Sequence, residues 1–232
     1  MFKFIYYFLY IVLFPIYRFH FVGRENLPEG AAVLCANHTA NIDAVFIVLA
    51  NGPQRNFGII GKEELFRFKP LAAFFKWIGG VPVKRGSGDV QVIRAGFSIL
   101  KEGKRLMIFP EGTRVKKGMA PVRPKAGAPM FAVRNHAPLV PIYIPAGRKA
   151  FKKNTVVIGK PYHPVFEGKP THEQYQEMAD QLMENILALA PKELKQLLHW
   201  RNERAIALAS VVRFRWQKIT QPRTICFTLQ DR

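Results

Sequence analysis

AAVLCANHTANIDAVFIVLANG, residues 31–52, decides the fold class of this chain. It opens with an unbroken apolar run, AAVLCA, as a short strand covered on both faces would. It continues through a polar turn and ends in NIDAVFIVLANG, which reads as a helix with Asn41 as its cap and Gly52 just past its end. The turn carries His38, and Asp43 follows five positions later. With six histidines in 232 residues, some His-x4-Asp pair arises by accident roughly one time in ten. The setting carries more weight than the spacing. On one regular helix, five residues at about 100° each would leave the two side chains about 140° apart. Contact therefore requires His38 outside the helix and Asp43 in its first turn, which the strand-turn-helix boundary supplies. A carboxylate at a helix start suits the helix dipole, and it can fix the imidazole in one tautomer while the other ring nitrogen serves as a general base.

Outward from this unit, short β-like runs alternate with helical ones, the pattern of an α/β domain with a sheet flanked by helices. Strands are expected over residues 17–22, 31–36, 57–60, 81–84, 105–109, 139–144 and 155–158. Helices are expected over residues 42–50, 70–78, 90–102, 127–135 and 173–190. Open α/β sheets collect ligands beyond the carboxyl ends of their strands, so the loops after those strands are where chemistry belongs. One of them is PEGTR, residues 110–114, following the strand RLMIF. Gly112 lets backbone approach a ligand, Thr113 offers a hydroxyl, and Arg114 offers a planar fork for phosphate. In isolation the same letters describe a surface turn with an ordinary charge pair. PVKRGSGD, residues 82–89, brings Lys84 and Arg85 after an earlier strand and is open to the same two readings.

Composition bounds the rest. A chain that is 49% hydrophobic and 22% charged suits one globular domain of residues 21–200, with a segment added at each end. Two cysteines make neither a disulfide framework nor a metal cluster; Cys35 reads as core, with a thiol nucleophile served by His38 as the alternative. The formal charge of +19 implies an anionic partner: nucleic acid, an anionic membrane surface or a phosphorylated small molecule. Residues 1–20 favour the membrane. An apolar, aromatic-rich run over residues 4–17, broken only by Pro15, is about 21 Å long as a helix, short of the roughly 30 Å hydrocarbon core. An interfacial anchor flanked by Lys3 and Arg18 fits that length, and a secretory signal is the rival, although no small-residue cleavage site follows promptly. Residues 201–232 hold seven basic and two acidic residues, and read either as a helix lying on lipid or as a basic tail without fixed structure.

Taken together, these blocks resemble the lysophosphatidic acid acyltransferase (1-acyl-sn-glycerol-3-phosphate acyltransferase) family. NHTANID matches the family's asparagine-histidine-x4-aspartate block. KEELF with GGVPVKR, residues 62–66 and 79–85, resembles its second block. FPEGTR, residues 109–114, reproduces the third nearly letter for letter, and VPIYI, residues 140–144, resembles the fourth, with PKAGA between. The blocks span about half of the chain, and the combination of His-x4-Asp with FPEGTR is specific. The resemblance implies a glycerolipid acyltransferase-like mixed sheet on a membrane-associated N-terminal helical segment. It also implies transfer of a fatty acyl group from acyl-CoA or acyl-ACP to the sn-2 hydroxyl of lysophosphatidic acid, giving phosphatidic acid. His38 and Asp43 would be catalytic. Arg85, Glu111, Gly112, Thr113 and Arg114 would form the phosphate site, with Glu111 ordering that loop or its arginine rather than acting as a second base. Asn37 and Lys62 would support them. Neither metal nor cofactor is expected beyond the acyl donor, itself a substrate.

Ala40, Ala44 and Lys84 depart from residues common in the family, and residues 115–117 replace its usual small polar ones; no catalytic group is lost. Another lysophospholipid or glycerol phosphate is the alternative acceptor. A basic nonenzymatic protein binding nucleic acid or anionic lipid is the rival of a different class; it explains the charge only, and no nucleic-acid module is evident, so no nucleic-acid partner is expected. The expected partners are membrane lipids and the acyl carrier. The expected location is the cell membrane, monotopic or peripheral, with the catalytic domain on the cytoplasmic side.

Overall fold

A computed structural model describes residues 2–54, 56–62, 67, 72–73, 75, 79–83, 89–115, 118–146, 148 and 150–191, with the backbone alone at 2, 62, 83 and 89. The strands are β1 (Phe19–Val22), β2 (Ala32–Ala36), β3 (Phe57–Lys62), β4 (Gly80–Val83), β5 (Arg105–Ile108), β6 (Leu139–Tyr143) and β7 (Asn154–Ile158). The helices among the described residues are α1 (Phe2–Tyr17), α2 (Asp43–Asn51), α3 (Asp89–Lys101), α4 (Gly127–Arg134) and α5 (His172–Ala188). All seven strands join one sheet in the order β1-β7-β6-β2-β5-β3-β4. The run from β6 to β4 is parallel, β7 is antiparallel to β6, and β1 is parallel to β7. This is the mixed sheet expected from the sequence.

The apolar run that opened the sequence is the centre of that sheet. All five residues of β2 are buried because both of its faces are covered. Ala32, Leu34 and Ala36 enter one core with Phe46, Ile47 and Leu49 of α2, together with the inner face of α1. Val33 and Cys35 enter a second core, packed by α3, α4 and α5 through Ile99, Phe131 and Leu182. The period of two along one strand thus divides the molecule into two layers. Each fully buried large side chain in them contributes roughly 1.5–3 kcal/mol to folding.

Most element boundaries fall within two residues of expectation, and three departures have a visible cause. Tyr17 ends α1 rather than starting β1: Arg18 takes a positive φ of 40°, and its N–H donates to the Phe14 carbonyl at 2.7 Å, closing the helix before the chain turns into the sheet. Asn41 is not the cap of α2, since Ile42 holds that place with no side-chain bond. The preceding turn is organised instead around Asp43, whose own N–H donates to the Ala40 carbonyl at 3.1 Å. At the other end of the chain, α5 stops two residues before expected and is started by a reciprocal cap between Thr171 and Gln174. The helix expected over residues 70–78 lies mostly outside the described residues; the three of its residues that are described, Ala72, Ala73 and Phe75, are helical. Residues 201–232 lie outside them altogether.

The N-terminal helix is built into the domain. Tyr6 is buried and donates its hydroxyl to the Leu49 carbonyl of α2 at 2.9 Å. Tyr17 and Phe19 pack edge-on against Phe46 with ring centroids 5.4 and 4.9 Å away. The opposite side of α1 leaves Phe4, Tyr7, Phe8 and Ile11 exposed. No helix among the described residues is long and apolar enough to cross a membrane.

Candidate active site

Strand register sets the site. Cys35 of β2 pairs with Ile108 of β5, and Ala36 pairs with Ile142 of β6, so the three adjacent parallel strands end at one level. Three residues beyond Cys35 comes His38, and three beyond Ile108 comes Glu111. The loops after these central strands therefore meet without any long-range adjustment, as ligand sites of open α/β sheets do. Asn37 fastens the third strand: its side-chain amide donates to the Ile144 carbonyl at 2.8 Å and its oxygen accepts the Ile144 N–H at 2.7 Å. It is a buried strand clamp, not a group offered to a ligand.

His38 and Asp43 meet as their strand-to-helix spacing requires, with Nδ1 3.1 Å from Oδ2. Asp43 is fully buried and heavily used. Oδ2 also accepts the N–H groups of Thr39 and Ala40, each at 2.7 Å, while Oδ1 accepts a guanidinium N–H of Arg148. An ionised carboxylate only accepts, so Nδ1 carries the imidazole proton and Nε2 is the basic nitrogen. The ring stacks on Phe109, 3.9 Å between centroids and 16° from parallel, which restricts its rotation. Burial, above all, lowers the His38 pKa to about 4, with Glu111 pulling it up and Arg114 and Arg148 pushing it down. The imidazole is therefore neutral at pH 7, the form that can take a proton.

Glu111, grouped with the phosphate ligands on sequence and expected to order their loop, reaches the histidine turn. Its carboxylate is buried and accepts the backbone N–H of His38 at 2.7 Å, and burial raises its pKa. Val115 N–H donates to the His38 carbonyl at 2.8 Å, so the β5 loop grips the histidine main chain from both sides. Glu111 thus orders the histidine turn, and among the described residues its carboxylate bonds to the His38 N–H and to no arginine.

Gly112, Thr113 and Arg114 project into solvent between those two grips. Gly112 holds a positive φ of 62°, and a Cβ added there would meet Lys125 Cε at 2.9 Å. Lys125 thereby joins the loop. Its N–H donates to the Pro110 carbonyl at 2.8 Å, and its side chain crosses Gly112. Arg114 donates to the Asn41 side-chain oxygen at 2.7 Å, linking the two loops across the site. Arg85 lies outside the described residues, as does the Lys62 side chain, whose backbone ends β3.

The acyltransferase family profile matches residues 18–145, more than half of the chain and every loop just described. The chain belongs to the acyltransferase family. It is 32% identical over 177 residues to the 1-acyl-sn-glycerol-3-phosphate acyltransferase of Bacillus subtilis, covering 73% of this chain and 87% of that protein. It is 30% identical over 167 residues to the chloroplastic 1-acyl-sn-glycerol-3-phosphate acyltransferase LPAT1 of Arabidopsis thaliana, covering 66% of this chain and 46% of that longer protein. Its fold matches the crystal structure of the 1-acyl-sn-glycerophosphate acyltransferase PlsC of Thermotoga maritima with a TM-score of 0.59, over 82% of this chain and 79% of that one, at 23% identity.

Two further residues of this acyltransferase matter to its site. Arg148, on the loop after β6, was not picked out by the sequence. Its guanidinium is buried, donates to Asp43 and, at 3.0 Å, to the Thr39 hydroxyl, and lies over the Phe46 ring at 5.0 Å. Its partner Asp43 is 105 residues earlier, and no motif or spacing marks it. Cys35, the alternative nucleophile, faces the second core with no exposure, and burial pushes its thiol far above the ordinary range. It is a packing residue.

Proposed function

We propose that this acyltransferase moves a fatty acyl group from a thioester, acyl-CoA or acyl-ACP, to the sn-2 hydroxyl of lysophosphatidate, forming phosphatidate. The observation that carries this reading is a neutral, tautomer-fixed histidine on a buried carboxylate, beside an exposed cationic loop. His38 Nε2 takes the hydroxyl proton as the alcohol oxygen attacks the thioester carbonyl. The tetrahedral intermediate collapses, the C–S bond breaks, and the imidazolium returns the proton to the leaving thiolate. No acyl-enzyme, metal or cofactor enters the sequence. Arg114, Lys125 and the backbone around Gly112 and Thr113 bind the acceptor phosphate, with Arg85 as a further cation. That both relatives are named 1-acyl-sn-glycerol-3-phosphate acyltransferases supports the acceptor.

The exposed apolar side of α1 would lie in the lipid interface, on the cytoplasmic side where acyl thioesters are found, with the basic surface drawn to anionic headgroups. The test is acylation by purified protein in detergent micelles, with lysophosphatidate, lysophosphatidylcholine and glycerol phosphate offered in parallel against both donors. Preference for lysophosphatidate is expected. Turnover of glycerol phosphate alone would reassign the acceptor, and absence of thioester consumption with any acceptor would refute the reaction.

A further inference from the structure

Asp43 raises an electrostatic problem. A fully buried carboxylate beside a base would draw a proton onto that base and leave it cationic at rest, when it can no longer accept one. The charged groups around His38 come from three loops: Asp43 after β2, Glu111 and Arg114 after β5, and Arg148 after β6. Two carboxylates thus face two guanidiniums among the described residues, and of these two cations Arg148 is the one that bonds directly to Asp43. Its planar fork also reaches the Thr39 hydroxyl, and Thr39 N–H donates to Asp43, so one side chain pins both ends of the turn that carries the histidine. The guanidinium is itself secured, 6% exposed and seated over Phe46.

Building on the acyl-transfer reading above, we propose that Arg148 is a positioning residue for the reaction: it balances the charge of Asp43, so that this carboxylate orients the His38 ring while leaving Nε2 free to accept the acceptor's proton. Arg148 touches neither substrate in this role. The electrostatics point the same way, since the guanidinium is among the influences that lower the His38 pKa and its loss removes one of them.

The experiment measures kcat, both KM values and the pH profile for Arg148→Met, Arg148→Lys, Asp43→Asn and Asp43→Asn/Arg148→Met, using acyl-CoA and lysophosphatidate. Arg148→Met is expected to lower kcat about ten- to a hundredfold. It should also move the acid limb to higher pH and leave the acceptor KM near that of the wild type, while Arg148→Lys recovers part of the loss. In the Asp43→Asn background the same substitution should change kcat less than about twofold, because its partner is already gone. An Arg148→Met protein with the wild-type kcat and acid limb overturns the proposal, and so does an undiminished penalty in the Asp43→Asn background. If Arg148→Met does not fold, the double variant decides: it strands no buried charge, so recovery of folding supports the proposal and failure to fold makes Arg148 a general scaffold residue. His38→Ala in the same assay separates the two levels. Full activity there sinks the general-base reading, whereas an inactive His38→Ala beside an unaltered Arg148→Met sinks this proposal alone.

Discussion

The buried and exposed halves of the site are built on opposite plans. Around His38 the two carboxylates and the Asn37 amide already have partners inside the protein: Asp43 with His38, two backbone N–H groups and Arg148, Glu111 with the His38 N–H, and Asn37 with both backbone groups of Ile144. Around Gly112, Thr113 and Arg114 the loop faces solvent, with Lys125 lying across it. On the proposed mechanism, the geometry for proton transfer is set before substrate arrives, while the cationic loop meets the acceptor phosphate from the solvent side. Substitutions in the first half should therefore change kcat and those in the second should change KM.

The largest expected effect is that of His38→Ala. Loss of a positioned base lowers kcat by about a hundredfold to ten-thousandfold, with the acceptor KM and the unfolding midpoint close to wild type. Steady-state kinetics at saturating donor, with calorimetry on the same sample, checks both. An acceptor KM that rose in step with the fall in kcat would erase the division between the halves.

Arg114→Ala should do the converse. A charge-assisted bond to phosphate contributes about 1.5–3 kcal/mol, so the acceptor KM should rise roughly ten- to a hundredfold while the thioester KM holds. Equal changes in both constants would remove Arg114 from the phosphate site.

The pH dependence sharpens the buried half. A base with its pKa lowered to about 4 stays deprotonated well into the acid range, and activity is lost only as pH falls through that value. At pH 5.5 a histidine of ordinary pKa, about 6.5, would be protonated in nine molecules of ten and would forfeit roughly tenfold in rate. This enzyme should retain most of its kcat/KM at that pH, after correction for the acceptor's own phosphate ionisation. An acid limb centred near 6.5 would mean that His38 is more solvated in solution than its burial requires.

The smallest effect belongs to Lys125→Ala. An exposed ammonium crossing a solvent-facing loop should raise the acceptor KM about two- to fivefold when removed, and the increase should shrink in high salt because exposed charges are screened. A salt-independent effect would identify Lys125 as packing for the Gly112 turn instead of a phosphate cation.

How much of this was legible follows from the range over which each contact acts. All seven strands could be read, because a strand covered on both faces leaves an apolar run that chain neighbours alone reveal, as in residues 31–36. The His38 and Asp43 pair is five residues apart, and helix geometry was enough to argue for it. The contacts that Glu111 and Arg148 make were not legible. Their partners are 73 and 105 residues distant, and they meet them only through the strand order β6-β2-β5, which no local period encodes. Asn41 was misread because a polar residue before a helix ordinarily caps it, whereas here the buried Asp43 already organises the turn.

The seating of α1 has a practical consequence. Tyr17 packs on Phe46, and Phe46 lies under the Arg148 guanidinium that holds Asp43. An N-terminal truncation designed to make the enzyme easier to handle would thus be a core mutation in disguise, stripping cover from Phe46 and removing the Tyr6 bond to Leu49. Engineering for solubility should repaint the outward residues Phe4, Phe8 and Ile11 with polar side chains and leave the inward tyrosines alone.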